Sequence, residues 1–428
     1  MWVLIDCDNF FCSCERVFRP DLEHKTLVVL SNNDGCVVAR SKEAKALGIK
    51  MGLPYYQMKE QFPHDKIIAF SSNYELYADM SARVIATLKT EAPNVYQYSI
   101  DEAFIDLRGM DRFDLKKWGE ELSAKVLKWT GIPISVGIGP SKTLAKVAVR
   151  FAKKYTAYNK CCVIATEEQR VKALQLLDIS DVWGIGRRIA FSLNEKGIHN
   201  AYEFTQSPRS WVKKLYHLPA ERTWRELLGE DVLPIESMER KKQSIVTSRT
   251  FPGMITNFEE LSAHVANYAA RCALKLRKQD SVCALISVFA RTNPFREDLP
   301  QYSGYASYVF TTPTSNTAEL VEAALAVLKE IYRTGIHFKR AGVMVEKISP
   351  NDGIQLDVFD KFNERRKQQD KVSIAMDRIN RAMGNDTLRV VSQMYTNTDG
   401  RSVKFSDAVK RDMKSPNYSI SLDAFKVK

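Results

Sequence analysis

The stretch YSIDEAFIDL, residues 98–107, alternates apolar and polar side chains as a strand does, but breaks at its middle to set Asp101 beside Glu102. Working outward, residues 94–100 and 103–107 read as two short strands flanking the acidic pair. Residues 2–7 form an apolar strand candidate with Asp6 near its end. Helical patterns at 73–90 and 112–130 and the strand IPISVGIG complete the order βαββαβ, with an insertion after the first helix that reads as strand, turn, strand and helix around the Asn-Asn-Asp-Gly turn. This is a mixed α/β (α+β) domain that carries Asp6, Asp101 and Glu102 to neighbouring strands. Three carboxylates at close range cannot all stay ionised without positive charge among them. Oxygen-only ligands select hard divalent ions, Mg²⁺ or Mn²⁺, and two such ions about 3.5–4 Å apart support phosphoryl transfer. Taken alone, Asp101 and Glu102 read better as residues of a solvated hairpin turn. Asp6, at the end of an apolar strand, has no turn to explain it.

Composition points the same way. With 428 residues and 45% hydrophobic content, the chain exceeds what one core usually holds, so several domains are expected. Lys plus Arg number 63 against 51 for Asp plus Glu, a net charge of +12 that favours a polyanionic partner, nucleic acid ahead of a membrane surface. The start, MWVLIDCDNFF, has no basic region and carries Asp6 and Asp8 within its apolar run, so it does not read as a signal peptide, and no apolar stretch is long enough to span a bilayer. The eight cysteines form no C-x-x-C pair and read as reduced thiols of a cytoplasmic protein, against a zinc site.

Further along, DVWGIGRRIAFSLNEKGIHNAYEF, residues 181–204, has the form of a helix-hairpin-helix. Gly184 and Gly186 allow backbone N–H groups at a helix start to approach a phosphate, and Arg187 and Arg188 add sequence-independent attraction. Residues 166–232 are assigned to a small helical thumb and 233–243 to a basic linker that is either an exposed tether or a segment lying along DNA. A second βαββαβ run covers 244–348. Its first helix shows Phe258, Leu261, Val265, Tyr268, Cys272 and Leu276 at helical spacing, with Asn257 as cap.

The order IDCDNFFCSCE, SNNDGCVVARSKEAKALGIKMG, SSNYELYADMS, YSIDEAFIDL and GIGPSKTLAKVAVRFAKK resembles the Y-family of lesion-bypass DNA polymerases over nearly the whole chain. The resemblance implies a right-hand-like polymerase: a palm over 1–165 with small fingers inserted at about 20–72, the thumb, a little finger over 244–348, and a tail over 349–428. It implies that Asp6, Asp101 and Glu102 are the catalytic, metal-binding carboxylates, with the carbonyl of Cys7 as a further ligand. Asp8 is left out. Phe11 falls where the family places an aromatic ring under the nucleotide sugar, with Phe10 as a core residue on the opposite side of an extended segment. Lys42, Lys45 and Lys153 match triphosphate-binding positions, although arginine and tyrosine are commoner at the first two. Gln355, Leu356 and Phe359 match the peptide by which bacterial polymerases dock on the sliding clamp, and a loop with two buried apolar residues is the alternative. Implied partners are primer-template DNA, dNTP, the clamp, a UmuD-like accessory dimer and a RecA filament, in the bacterial cytoplasm at the nucleoid and without a membrane. A palm-type nucleotidyl cyclase has no need of the hairpin, and a non-catalytic DNA-binding repair factor has no need of the three carboxylates.

Overall fold

The computed structural model describes residues 1–63, 66–108, 114–235, 241–352, 363–384, 386–396, 402–403, 411–416 and 418. The chain divides into two compact units, Met1–Glu239 with Lys410–Lys428, and Arg240–Val409.

The first unit is built on a five-stranded sheet in the order Val95–Gln97, Glu102–Asp106, Trp2–Cys7, Ile134–Gly139, Cys161–Val163. The central strand runs antiparallel to both neighbours, and Cys161–Val163 runs parallel to Ile134–Gly139. That fifth strand was not evident in the sequence, because three residues carry no readable alternation. Val3, Ile5 and Cys7 point into one core with Leu122 and Val126 of helix Leu115–Thr130 and Tyr77, Met80, Val84 and Leu88 of helix Tyr74–Glu91. Trp2 and Leu4 point the other way, against Ala145 and Val149 of helix Lys142–Lys154. That helix lies close because Gly137 faces it: a Cβ there would stand 2.3 Å from both Ala145 O and Val149 N.

Between helix Phe10–Val17 and helix Tyr74–Glu91 is inserted a three-stranded sheet, ordered Val37–Arg40, Thr26–Leu30, Ile67–Ser71, with its own core of Val28, Leu30, Val37, Ala44, Ile49 and Met58. Helices Glu167–Gln175, Arg187–Asn194, Ala201–Thr205 and Arg209–Leu227 share a core with Leu144, Val147 and Phe151.

In the second unit an antiparallel sheet, ordered Ser303–Thr314, Ser281–Arg291, Phe338–Pro350, Ile245–Ile255, packs against helices Phe258–Lys278 and Thr317–Ile331. Asn257 Oδ1 accepts from Glu260 N at 2.8 Å and caps the first of them. Residues 363–396 stay with this unit: Arg277 Nε and Nη2 donate to both carboxylate oxygens of Asp377 at 2.7 and 2.8 Å. Residues 411–416 and 418 belong to the first unit, so what reads in sequence as one tail is divided between the two. No helix among the described residues is long and apolar enough to cross a membrane.

Candidate active site

Asp6 stands opposite Glu102 across one strand pair and opposite Ser135 across the other. Glu102 already belongs to its strand, so the acidic pair sits at the strand's mouth and not between two strands as the sequence suggested. The turn before it is closed by Ser99, whose Oγ accepts from Asp101 N at 3.2 Å and Glu102 N at 2.9 Å and donates to Asp101 Oδ1 at 2.6 Å. Cys7 N donates to Asp101 O at 2.9 Å, which ties the ends of the two strands together.

Asp6 shares the face of Leu4 and so looks toward helix Lys142–Lys154. Lys153 Nζ lies 2.5 Å from Asp6 Oδ1. Lys146 Nζ donates to both oxygens of Glu102, at 2.9 and 3.0 Å, and is bracketed by the rings of Tyr98 and Trp183 at 5.0 and 4.9 Å. Asp6, Glu102, Lys146, Arg150, Lys153 and Trp183 line one cleft of about 320 Å³. Asp101 lies beside it, held by Ser99.

Burial pushes the Asp6 carboxyl up to about 6; the Lys153 ammonium opposes this, and the charges of Glu102 and Asp101 add to it. The folded chain therefore binds a proton at Asp6 more tightly than the unfolded chain does. Its stability should fall as pH rises from about 4 through 6, where ionised Asp6 becomes a burden. In metal-free protein at pH 7.5, Asp6→Asn should raise the unfolding free energy by about 2–3 kcal/mol and flatten that fall. Denaturant titrations of both proteins at pH 4.5 and 7.5 check this; equal stabilities at pH 7.5 would show that the carboxylate carries no such cost.

The adjacent Asp8 lies 3.8 Å from Lys153 Nζ but is held more closely by two other groups. Ser135 Oγ donates to its Oδ1 at 2.8 Å and Lys160 Nζ lies 2.6 Å from its Oδ2. Burial drives the Cys7 thiol far above its ordinary range, which leaves the carbonyl as the donor Cys7 can offer a hard cation. As the side chains stand, no three acidic, histidine or cysteine groups among the described residues converge on a single metal position. The donor set nonetheless suits one: it is all oxygen, mutually repulsive, and two ammonium groups occupy the places where positive charge is needed.

Phe11 lies on helix Phe10–Val17, not on the extended segment the sequence suggested. Asn9, in the left-handed region at φ 50°, turns the chain out of the strand and straight into that helix. Phe10 is buried and Phe11 half-buried, because neighbours on a helix differ by about 100°. The Phe11 ring stacks on Tyr77 at 4.4 Å and meets Tyr74 edge-on at 6.0 Å. Lys45 Nζ donates to Asn9 Oδ1 at 2.5 Å, and burial followed by the charge of Lys153 holds its ammonium below the ordinary range. Lys45 and Lys153 thus face a common space. Lys42, at the start of helix Lys42–Ala46, is exposed.

In the hairpin, Gly184 has φ +92° and a Cβ there would fall 2.3 Å from Thr223 Oγ1, so both backbone and packing require glycine. Gly186 is the N-cap of helix Arg187–Asn194, whose first residues, Arg187 and Arg188, are exposed. The peptide containing Gln355, Leu356 and Phe359 lies outside the described residues. Sequence reading missed Lys146, Trp183 and Tyr77. For Lys146 a signal was present, since Lys142, Lys146, Arg150 and Lys153 recur on one helical face.

Residues 5–150 match the model of the impB/mucB/samB family and residues 242–358 that of the same family's C-terminal domain. Protein UmuC of Salmonella typhimurium is 42% identical over 421 residues, 98% of this chain and 98% of its own. The chain belongs to the impB/mucB/samB family. Protein SamB of Salmonella typhimurium, at 39% identity over 98% of this chain and 97% of its own, is similar along the same length. So, more distantly, is DNA polymerase IV 2 of Bacillus subtilis, at 24% identity over 85% of this chain and 88% of its own. Among solved structures, a Y-family DNA polymerase chimera of Dbh and Dpo4 superposes with a TM-score of 0.65 at 23% identity, covering 82% of this chain and 99% of that one. An insertion ternary complex of Dbh DNA polymerase gives 0.53 at 22% identity over 82% and 99%. The fold of this impB/mucB/samB member is that of the Y-family polymerases.

Proposed function

We propose that this protein is a template-directed DNA polymerase that copies past damaged bases. A primer 3′-hydroxyl attacks the α-phosphate of a dNTP, forming the new phosphodiester bond and releasing pyrophosphate. The observation that carries this reading is Asp6 opposite Glu102 on the wall of a cleft that also holds Lys146 and Lys153. Its support is the kinship with UmuC over the full length and with DNA polymerase IV.

Asp6, Asp101 and Glu102, with the Cys7 carbonyl, are the groups that would hold two divalent cations, Mg²⁺ or Mn²⁺. When bound, these ions supply activation of the attacking oxygen and charge for the leaving one. Lys153 is free to turn from Asp6 to the triphosphate, where Lys45 and Lys42 add positive charge. Lys146, held between Tyr98 and Trp183, keeps Glu102 oriented. Phe11, fixed by Tyr77, lies beneath the sugar and excludes a 2′-hydroxyl. Gly184, Gly186, Arg187 and Arg188 grip backbone phosphates of the primer-template through N–H groups and charge. The partners beyond DNA are the sliding clamp, through Gln355, Leu356 and Phe359, a UmuD-like dimer and RecA, in the bacterial cytoplasm.

The test is primer extension by purified protein with Mg²⁺ and dNTPs, on templates with and without an abasic site and with the clamp and accessory subunits supplied. Extension across the abasic site is the expected result; no nucleotide addition under any condition would favour a DNA-binding repair factor. Phe11→Ala should lower the preference for deoxyribonucleotides over ribonucleotides by roughly tenfold or more, about the discrimination that one steric contact supplies. Single-nucleotide addition with dNTP and rNTP measures it, and an unchanged ratio in folded protein removes Phe11 from the sugar pocket.

A further inference from the structure

Residues 411–416 and 418 lie against the fingers and palm, past residue 358 where the match to the family's C-terminal domain ends. The contact is made of specific groups. Ser71 N donates to Met413 O at 3.1 Å and Met413 N to Ser71 Oγ at 3.0 Å, so the segment adds to the end of a finger strand. Asp412 N donates to Asp34 Oδ2 at 3.1 Å in the Asn-Asn-Asp turn, and the Met413 side chain enters the finger core beside Tyr55. Arg411 and Lys414 both lie 3.4 Å from the Glu75 carboxylate. At the far end the Tyr418 ring stacks on Phe18 at 4.4 Å and 9°.

Between these anchors, Ser415 Oγ accepts from Asn73 Nδ2 at 2.9 Å, with both residues buried. Asn73 is the N-cap of helix Tyr74–Glu91, its Oδ1 accepting from Leu76 N at 3.4 Å. That helix carries Tyr74 and Tyr77, the two rings against Phe11. Tyr77 OH in turn donates at 2.8 Å to Glu15, a fully buried residue on the helix of Phe11. Phe18, under Tyr418, follows the last turn of the Phe11 helix. This short segment therefore touches both helices that fix the Phe11 ring, and the finger sheet as well.

We infer that residues 411–416 with Tyr418 form a strap that sets the position of Phe11, and that Ser415 is a positioning residue for nucleotide selection. This rests on the polymerase reading above. The strap touches no substrate; it acts by holding the start of the Tyr74 helix, and through Tyr77 the ring beneath the sugar. A hydrogen bond between two buried groups also costs something to break, since the remaining amide is left without a partner.

Ser415→Ala in the full chain tests the idea. The KM for dNTP should rise roughly three- to tenfold, and the preference for dNTP over rNTP should fall by a similar factor, while the primer-template Kd stays within about twofold. Ser415→Thr, which keeps the hydroxyl, should restore both values. In a Phe11→Ala background Ser415→Ala should leave the sugar ratio where Phe11→Ala put it, because the ring it positions is gone. Hydrogen exchange on the protein without substrates is the second readout: amides of residues 74–77 and 11–15 should exchange faster in Ser415→Ala than in the unaltered chain. Unchanged ratio and unchanged exchange overturn the proposal, and so does a ratio change that persists in full without Phe11. If the unaltered chain adds no nucleotide under any condition, the polymerase reading has failed and the exchange result alone decides the strap.

Discussion

Asp101→Ala together with Glu102→Ala should reduce nucleotide addition by at least about three orders of magnitude, or ~4 kcal/mol of barrier, while primer-template affinity stays near that of the unaltered chain. The two effects separate because the groups sit on different elements. The carboxylates stand at the mouth of the Glu102–Asp106 strand, whereas Gly186, Arg187 and Arg188 open a helix of the thumb. Nor should the fold suffer. Glu102 is part-exposed and paired to one lysine, Lys146, which keeps its two flanking rings when the acid is removed. The backbone pairing of Asp6 with residue 102 needs no side chain. Pre-steady-state addition to a labelled primer, beside an anisotropy titration of the same duplex, reads both quantities. A parallel loss of DNA binding would make the pair structural, and retained addition would remove it from the chemistry.

The second large effect concerns stability. Glu226 is fully buried at the end of the thumb's last helix, and its carboxylate organises the junction with the palm. Its Oε2 accepts from Thr143 N at 3.0 Å, and its Oε1 accepts from Val232 N and Leu233 N, both at 2.9 Å. Thr143 lies in the first turn of helix Lys142–Lys154, where free N–H groups and the helix dipole both favour an anion. Glu226→Ala would leave the buried N–H of Thr143 without its acceptor, at about 1–3 kcal/mol, and the half-buried N–H groups of Val232 and Leu233 without theirs at less, so a loss of roughly 2–4 kcal/mol is expected. That is a large part of the 5–15 kcal/mol or so that a domain has in total. Glu230→Ala, which removes an exposed partner of Arg225, should cost less than about 1 kcal/mol and serves as the control. Urea midpoints of the two variants decide it. If they coincide, the junction does not depend on this carboxylate.

Much of the palm was legible because its signals are local. Alternation in residues 98–107 and the apolar run before Asp6 are each readable within one strand, and antiparallel pairing then brings Asp6 to Glu102. The little finger was legible for the same reason, since Leu261, Val265, Tyr268, Cys272 and Leu276 fall on one face of a long helix and are all buried. The environment of each site residue was not legible. That Lys146 would take both oxygens of Glu102 depends on how closely the helix packs at Gly137, a distance no spacing rule contains. Phe11 was placed on an extended segment because the strand's apolar run continues into it. The strand ends at Cys7, four residues before Phe11, and left-handed Asn9 starts the helix, a turn that leaves little trace in composition. The strap was invisible for a third reason. Seven or eight mostly polar residues without periodicity look like any tail until the surface they meet is known.

The central strand, Trp2–Cys7, waits longest for its partners. Its neighbours are Glu102–Asp106 and Ile134–Gly139, and the whole finger sheet comes between. On a ribosome adding about 5–20 residues per second, this apolar strand leaves the exit tunnel many seconds before the second of them exists. Both of its edges are bare until residues 102–106 are made, and one of them until residues 134–139 are, which is the condition that invites pairing with another nascent chain. Asp6 and Asp8, whose charges make the finished site hard to assemble, are then the two features of the segment that oppose such pairing. Asp6 would act first as a safeguard during synthesis and only later in chemistry.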